Sequence, residues 1–84
     1  MIGGEGPGMS VKLYSTPTCP FCKMTREFLE QHGVSYEDVN VAEDREGAKE
    51  MIEKSGQLGV PVVDFDGRII VGFDRGRIGS ALGL

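Results

Sequence analysis

The stretch TPTCPFCKMT, residues 16–25, holds the only two cysteines of an 84-residue chain, Cys19 and Cys22, two residues apart. It lies between a short alternating run, VKLYS (11–15), and a segment of helical period, so its reading decides both fold and chemistry. Downstream, Phe21, Met24, Phe28 and Leu29 recur at three- and four-residue steps and predict a helix over Pro20 to His32, with these residues on one face. Pro20 suits the first helical turn, where its missing N–H is no loss, and Gly33 closes the segment. Upstream, Val11 to Ser15 predicts a strand that runs into a Thr-Pro-Thr loop.

Outward from this junction, Val34 to Val41 alternates again and predicts a second strand. Glu43 to Lys54 predicts a helix with Ala48, Met51 and Ile52 on one face, ended by Ser55-Gly56. In GVPVVDFDGRIIVGF (59–73), Asp66-Gly67 separates two runs rich in Val, Ile and Phe, the signature of a tight hairpin. Asp74 to Leu84 predicts a last short helix through Ile78, Ala81 and Leu82. The resulting order is β-α-β-α-β-β-α. Its first three elements imply parallel strands with a right-handed crossover, and the hairpin adds antiparallel ones. A four-stranded mixed sheet flanked by helices satisfies both.

Composition narrows the class. The Gly-rich start reads as a flexible leader over residues 1–9, with one domain over 10–84. A net charge of −4, with Lys and Arg scattered singly, argues against nucleic acid, which needs a clustered basic face. No apolar run reaches the roughly 20 residues of a membrane span, and the start has no secretory pattern, so a cytoplasmic protein is expected.

Three chemistries compete for Cys19 and Cys22. Structural zinc wants four ligands, and this chain offers no further cysteine and one histidine, His32; a site shared between two chains is the remaining route. A structural disulfide across two residues closes too small a loop to remove much unfolded-state entropy, and the cytosol would reduce it. Redox chemistry accounts for the spacing. A cysteine at a helix N-terminus meets unpaired N–H groups and the positive end of the dipole, which stabilise a thiolate. The second, one turn inward, is shielded yet within bonding reach. Cys19 then attacks a substrate disulfide and Cys22 resolves the mixed disulfide. Lys23 adds to the positive field.

These residues resemble the glutaredoxin family, within the thioredoxin fold, from Val11 to about Leu82. TCPFC is similar to the family's CPYC site, with Phe21 in the aromatic place. Val60-Pro61 is similar to its Val-Pro, and DFDGRIIVGFD to its hairpin and the following Gly-containing turn. The resemblance implies the minimal thioredoxin-like α/β fold. It also implies Cys19 as nucleophile, Cys22 as resolving thiol and a cis Pro61 that leaves the Val60 backbone to pair with a bound thiol peptide. Thr18, Phe21, Val60, Pro61, Gly72, Phe73 and Asp74 would line the substrate or glutathione groove. No metal or bound cofactor is implied, only an electron donor and disulfide-containing partners, with the protein acting as a monomer.

The donor is where the sequence departs from the family pattern. Glutathione-using members carry a lysine shortly before the first cysteine, whereas Thr16 and Pro17 stand here. They also carry Gly-Gly followed by paired acids, whereas Val71-Gly72-Phe73-Asp74-Arg75 keeps one glycine and one acid. Gly72-Phe73 is instead similar to the Ser-Gly-Phe segment of NrdH-type redoxins, which take electrons from thioredoxin reductase and pass them to ribonucleotide reductase. The resemblance therefore implies disulfide reduction with either glutathione or a thioredoxin-reductase-type donor, leaning to the latter. A separate reading is an iron–sulfur carrier, two chains sharing a cluster through Cys19 and glutathione.

Overall fold

In a computed structural model, residues 11–83 are described. The leader expected over residues 1–9 lies outside them. Seven elements follow in chain order: β1 (Val11–Ser15), α1 (Pro20–Gln31), β2 (Glu37–Asn40), α2 (Arg45–Ser55), β3 (Val62–Phe65), β4 (Arg68–Val71) and α3 (Arg75–Leu82). The sheet order is β2-β1-β3-β4. β1 runs parallel to β2 and antiparallel to β3, and β3 pairs antiparallel with β4. This is the thioredoxin-like four-stranded mixed sheet with three helices that the sequence predicts.

Strand alternation sends side chains to two cores, one on each face of the sheet. Val11 and Leu13 of β1, Val63 and Phe65 of β3 and Ile70 of β4 pack with Phe28 and Leu29 of α1 and Ile78 of α3. On the other face Tyr14, Val39 and Val62 pack with Met51 of α2. This second core has a polar margin. Tyr14 is wholly buried, and its hydroxyl donates to Glu50 (2.7 Å) and accepts from Lys54 (2.9 Å), which also pairs with Asp64 (2.6 Å).

Three local readings are corrected, each for a physical reason. The apolar stripe of α1 does not run through Phe21 and Met24, which are 58% and 43% exposed; the buried arc is Cys22, Thr25, Phe28 and Leu29. A cysteine and a threonine carry the inward positions, so the larger residues beside them face outward. β2 starts at Glu37 rather than Val34, because Val34 is used to end α1. Gly33 takes φ +69°, its N–H reaches Glu30 O (3.1 Å), and the Val34 N–H reaches Leu29 O (2.9 Å), a Schellman closure around the cap residue His32. Finally, α2 begins after Asp44, whose carboxylate accepts the Gly47 N–H (2.9 Å), and it buries Gly47 and Met51 while Ile52 turns outward. A side-chain carbon on Gly47 would stand 2.5 Å from Val39 Cγ1, so the missing side chain sets how closely α2 approaches the sheet.

The hairpin forms as predicted. Asp66 and Gly67 both have positive φ (53° and 103°), as a two-residue primed turn between right-twisted strands requires. The Asp64 carboxylate accepts the Gly67 N–H (2.7 Å) and tightens the turn.

Candidate active site

The loop after β1 turns through Pro17 and Thr18, with the Cys19 N–H directed at Thr16 O (3.5 Å). That turn delivers Cys19 to the N-cap of α1 in an extended conformation (φ −93°, ψ 115°). A cap residue's side chain normally accepts from the first helical N–H groups, and here the acceptor is sulfur: the Cys22 N–H points at Cys19 Sγ over 3.2 Å. Negative charge on Cys19 would therefore sit at the positive end of the helix with a hydrogen bond already aimed at it. Cys19 is half-buried, Cys22 fully buried, and both are free thiols.

The surroundings of the inner sulfur oppose its ionisation. Burial, followed by the hydrogen bond shared with Cys19, pushes the Cys22 thiol up to about 11. The Thr16 backbone amide and the Arg26 charge pull the other way and are outweighed. Cys22 thus keeps its proton at neutral pH.

The loop before β3 closes the site from the side. The Val60–Pro61 peptide bond is cis, and Cys19 Sγ lies 4.0 Å from Val60 O. Pro61 is buried, and its carbonyl accepts the Gly72 N–H (2.8 Å), which ties the turn after β4 to the same place. Gly72 sits at φ +84°, a conformation that favours glycine. Cys19, Cys22, Val60, Pro61 and Gly72 are therefore linked at one end of the sheet.

The other expected groove residues have more local partners. Thr18 and Phe21 are exposed on the rim. The Phe73 ring turns edge-on to Phe28 (centroids 6.1 Å apart) and lines, with Met24, Glu27, Gln31 and Arg75, a shallow groove of about 150 Å³ along α1. Arg75 lies over the Phe28 ring at 5.6 Å. One oxygen of Asp74 caps α3 by accepting the Arg77 N–H (3.0 Å). Lys23 is exposed on the outer side of α1. Among the described residues no group of three His, Cys, Asp or Glu side chains gathers to hold a metal ion, and no helix is long and apolar enough to cross a membrane.

One cluster beside the cysteines was not read from the sequence. Arg26, one turn beyond Cys22, donates from Nε to Asp38 Oδ2 (2.8 Å) and from Nη2 to Ser15 Oγ (3.0 Å), and Ser15 Oγ donates to Asp38 Oδ1 (2.7 Å). It joins α1 to the end of β1 and to β2. The only signal for it in the sequence is an arginine one turn beyond the inner cysteine, which alone is indistinguishable from a solvated helix residue.

The chain as a whole is similar to several known proteins. The Glutaredoxin family model matches residues 11–70. A glutaredoxin-like 8.6 kDa protein in a rubredoxin operon of Clostridium pasteurianum is 52% identical over 68 residues, 81% of this chain and 91% of that protein. Glutaredoxin 3 of Escherichia coli K12 is 32% identical over 77% of this chain and 78% of its own length. The glutaredoxin-like protein NrdH of Lactococcus lactis IL1403 is also 32% identical, over 75% of this chain and 86% of its own. Among solved structures, the glutaredoxin of Archaeoglobus fulgidus superposes with a TM-score of 0.80 at 28% identity, covering 90% of this chain and 88% of that one.

Proposed function

The chain belongs to the glutaredoxin family, and on that premise we propose that it reduces disulfides through the Cys19–Cys22 dithiol, taking its electrons from a thioredoxin-reductase-type donor. The observation that carries the dithiol assignment is the asymmetry of the pair. Cys19 is half-buried and its sulfur accepts a helix N–H, while Cys22 is fully buried and holds its proton.

The chemistry then runs in two exchanges. The Cys19 thiolate attacks one sulfur of the substrate disulfide; that S–S bond breaks, and the departing thiolate takes a proton from water. A mixed disulfide now joins Cys19 to the remaining substrate half. Cys22 gives up its proton and attacks Cys19 Sγ; the mixed disulfide breaks, and the second thiolate leaves and is protonated. A Cys19–Cys22 disulfide remains, two electrons having passed to the substrate. An extended thiol-bearing segment would lie against the Val60 backbone beside the cis Pro61, with Thr18, Phe21 and Gly72 around it. The step needs two sulfurs and an external donor, and its substrates would be protein or small-molecule disulfides.

The lean toward a reductase donor rests on residues, since the glutaredoxin 3 and NrdH relatives share the same 32% identity with this chain. No cation stands at Thr16 or Pro17 to pair with a glutathione carboxylate. Beyond Gly72, Asp74 already caps α3 with one oxygen, and Arg75 is stacked over Phe28. A charge-assisted hydrogen bond contributes about 1.5–3 kcal/mol, so each missing contact weakens glutathione binding roughly tenfold or more. Turnover of a model disulfide should be faster with NADPH and thioredoxin reductase than with NADPH, glutathione and glutathione reductase. Brisk turnover confined to the glutathione system would overturn the donor assignment while leaving the dithiol in place.

A further inference from the structure

The cluster beneath the inner cysteine bears on the second exchange, and the inference rests on the dithiol reading above. Resolution requires a thiolate on Cys22, a sulfur that is 0% exposed. Before substrate arrives, three influences hold the proton on it: burial, the hydrogen bond shared with Cys19, and the nearness of negative charge on Cys19. Forming the mixed disulfide removes the last two, because a disulfide sulfur carries no charge and is a poor acceptor. Burial alone then opposes ionisation. Against it stand the Thr16 backbone N–H, at the end of β1, and the guanidinium of Arg26.

Arg26 is also held in place. It lies four residues, one helical turn, beyond Cys22, and two of its nitrogens are fixed by Asp38 of β2 and Ser15 of β1. Its side chain is 27% exposed, so solvent screens its charge less than that of a fully extended surface arginine. The groups that weigh most on the Cys22 sulfur are Cys19 at the N-cap of α1, the Thr16 N–H after β1 and, most weakly, Arg26 of α1, with Asp38 acting through Arg26. On the β3 side, the Val60 carbonyl faces the Cys19 sulfur.

We propose that Arg26, clamped by Asp38 and Ser15, is a positioning residue for resolution: its fixed guanidinium holds the negative charge of the Cys22 thiolate while that thiolate attacks Cys19. Asp38 plays a double part, orienting the guanidinium and partly cancelling its charge. The two residues must then act on the resolving step with opposite signs.

A coloured aromatic disulfide such as 5,5′-dithiobis(2-nitrobenzoate) separates the steps, since each exchange releases one absorbing thiolate. In stopped-flow mixing with the reduced protein, the first phase reports attack by Cys19 and the second reports resolution by Cys22. In Arg26→Gln the pH midpoint of the second phase should rise by about half a unit, a roughly threefold smaller thiolate fraction at neutral pH. The rate there falls only about twofold, because a more basic thiolate attacks faster. Asp38→Asn should move the midpoint down, and Arg26→Lys should lie near the wild type. The inference is overturned if Arg26→Gln and Asp38→Asn leave the midpoint unchanged or move it in the same direction, as loss of a merely structural bridge would. Absence of the first phase in the wild-type protein would instead refute the dithiol assignment itself.

Discussion

Cys22 keeps its proton because an anion there would have no water around it, and this has a consequence for folding. Its thiol is raised from an ordinary 9.0 to about 11 in the folded chain. A thiol with a raised folded value contributes stability that is complete below the unfolded value and disappears as pH climbs through the folded one. The reduced protein should therefore lose stability between about pH 9 and pH 11. Tyr36, raised to about 12 by burial and by the hydrogen bond it donates to Glu30, adds a loss of the same sign at higher pH. The Cys22 share is the part that vanishes in Cys22→Ser, so urea unfolding of both proteins at pH 8 and pH 10.5 isolates it. A stability difference between them that stays constant over that range would contradict this reading of the buried thiol.

Among the elements, α2 shows what the pattern of apolar residues can and cannot reveal. Its existence was legible from Met51 and the Ser55-Gly56 stop, but not its rotation, since the contact that fixes it is the absence of a side chain at Gly47. Gly47→Ala would gain up to about 1 kcal/mol of helix propensity. It would also force Val39, a stiff β-branched residue in the core, to move, and overpacking of this kind costs about 1–3 kcal/mol. The net expectation is a destabilisation of roughly 1 kcal/mol in thermal or urea unfolding. In a Val39→Ala background the same change should become neutral or stabilising, and an equal loss in both backgrounds would dissociate Gly47 from Val39. The same limit hid the buried face of α1. Small inward residues, Cys22 and Thr25, carry little apolar signal, so Phe21 and Met24 drew the stripe to the outside. The hairpin was legible because Asp66-Gly67 encodes its own backbone geometry.

For the molecule as a whole, the site is assembled from chain segments that the sequence keeps far apart. Strand order brings the Val60-Pro61 loop and the Gly72 turn against the α1 N-terminus, and the Gly72 N–H to Pro61 O bond fastens them there. The resemblance to a known family supplied that juxtaposition in advance; alternation and helical period did not. The Arg26–Asp38–Ser15 cluster was legible by neither route, because its three side chains meet only once α1 has packed across β1 and β2. The fold sets the two sulfurs apart, one at the N-cap of α1 and one buried a turn beneath it, and the proposed roles follow from that difference. The direct test is mass spectrometry of the Cys22→Ser and Cys19→Ser proteins after mixing with a small disulfide at neutral pH. Cys22→Ser should accumulate a stable mixed disulfide on Cys19, and Cys19→Ser should remain unmodified. An adduct on Cys22 of the Cys19→Ser protein, formed as fast as the one on Cys19, would contradict the assignment of the two roles.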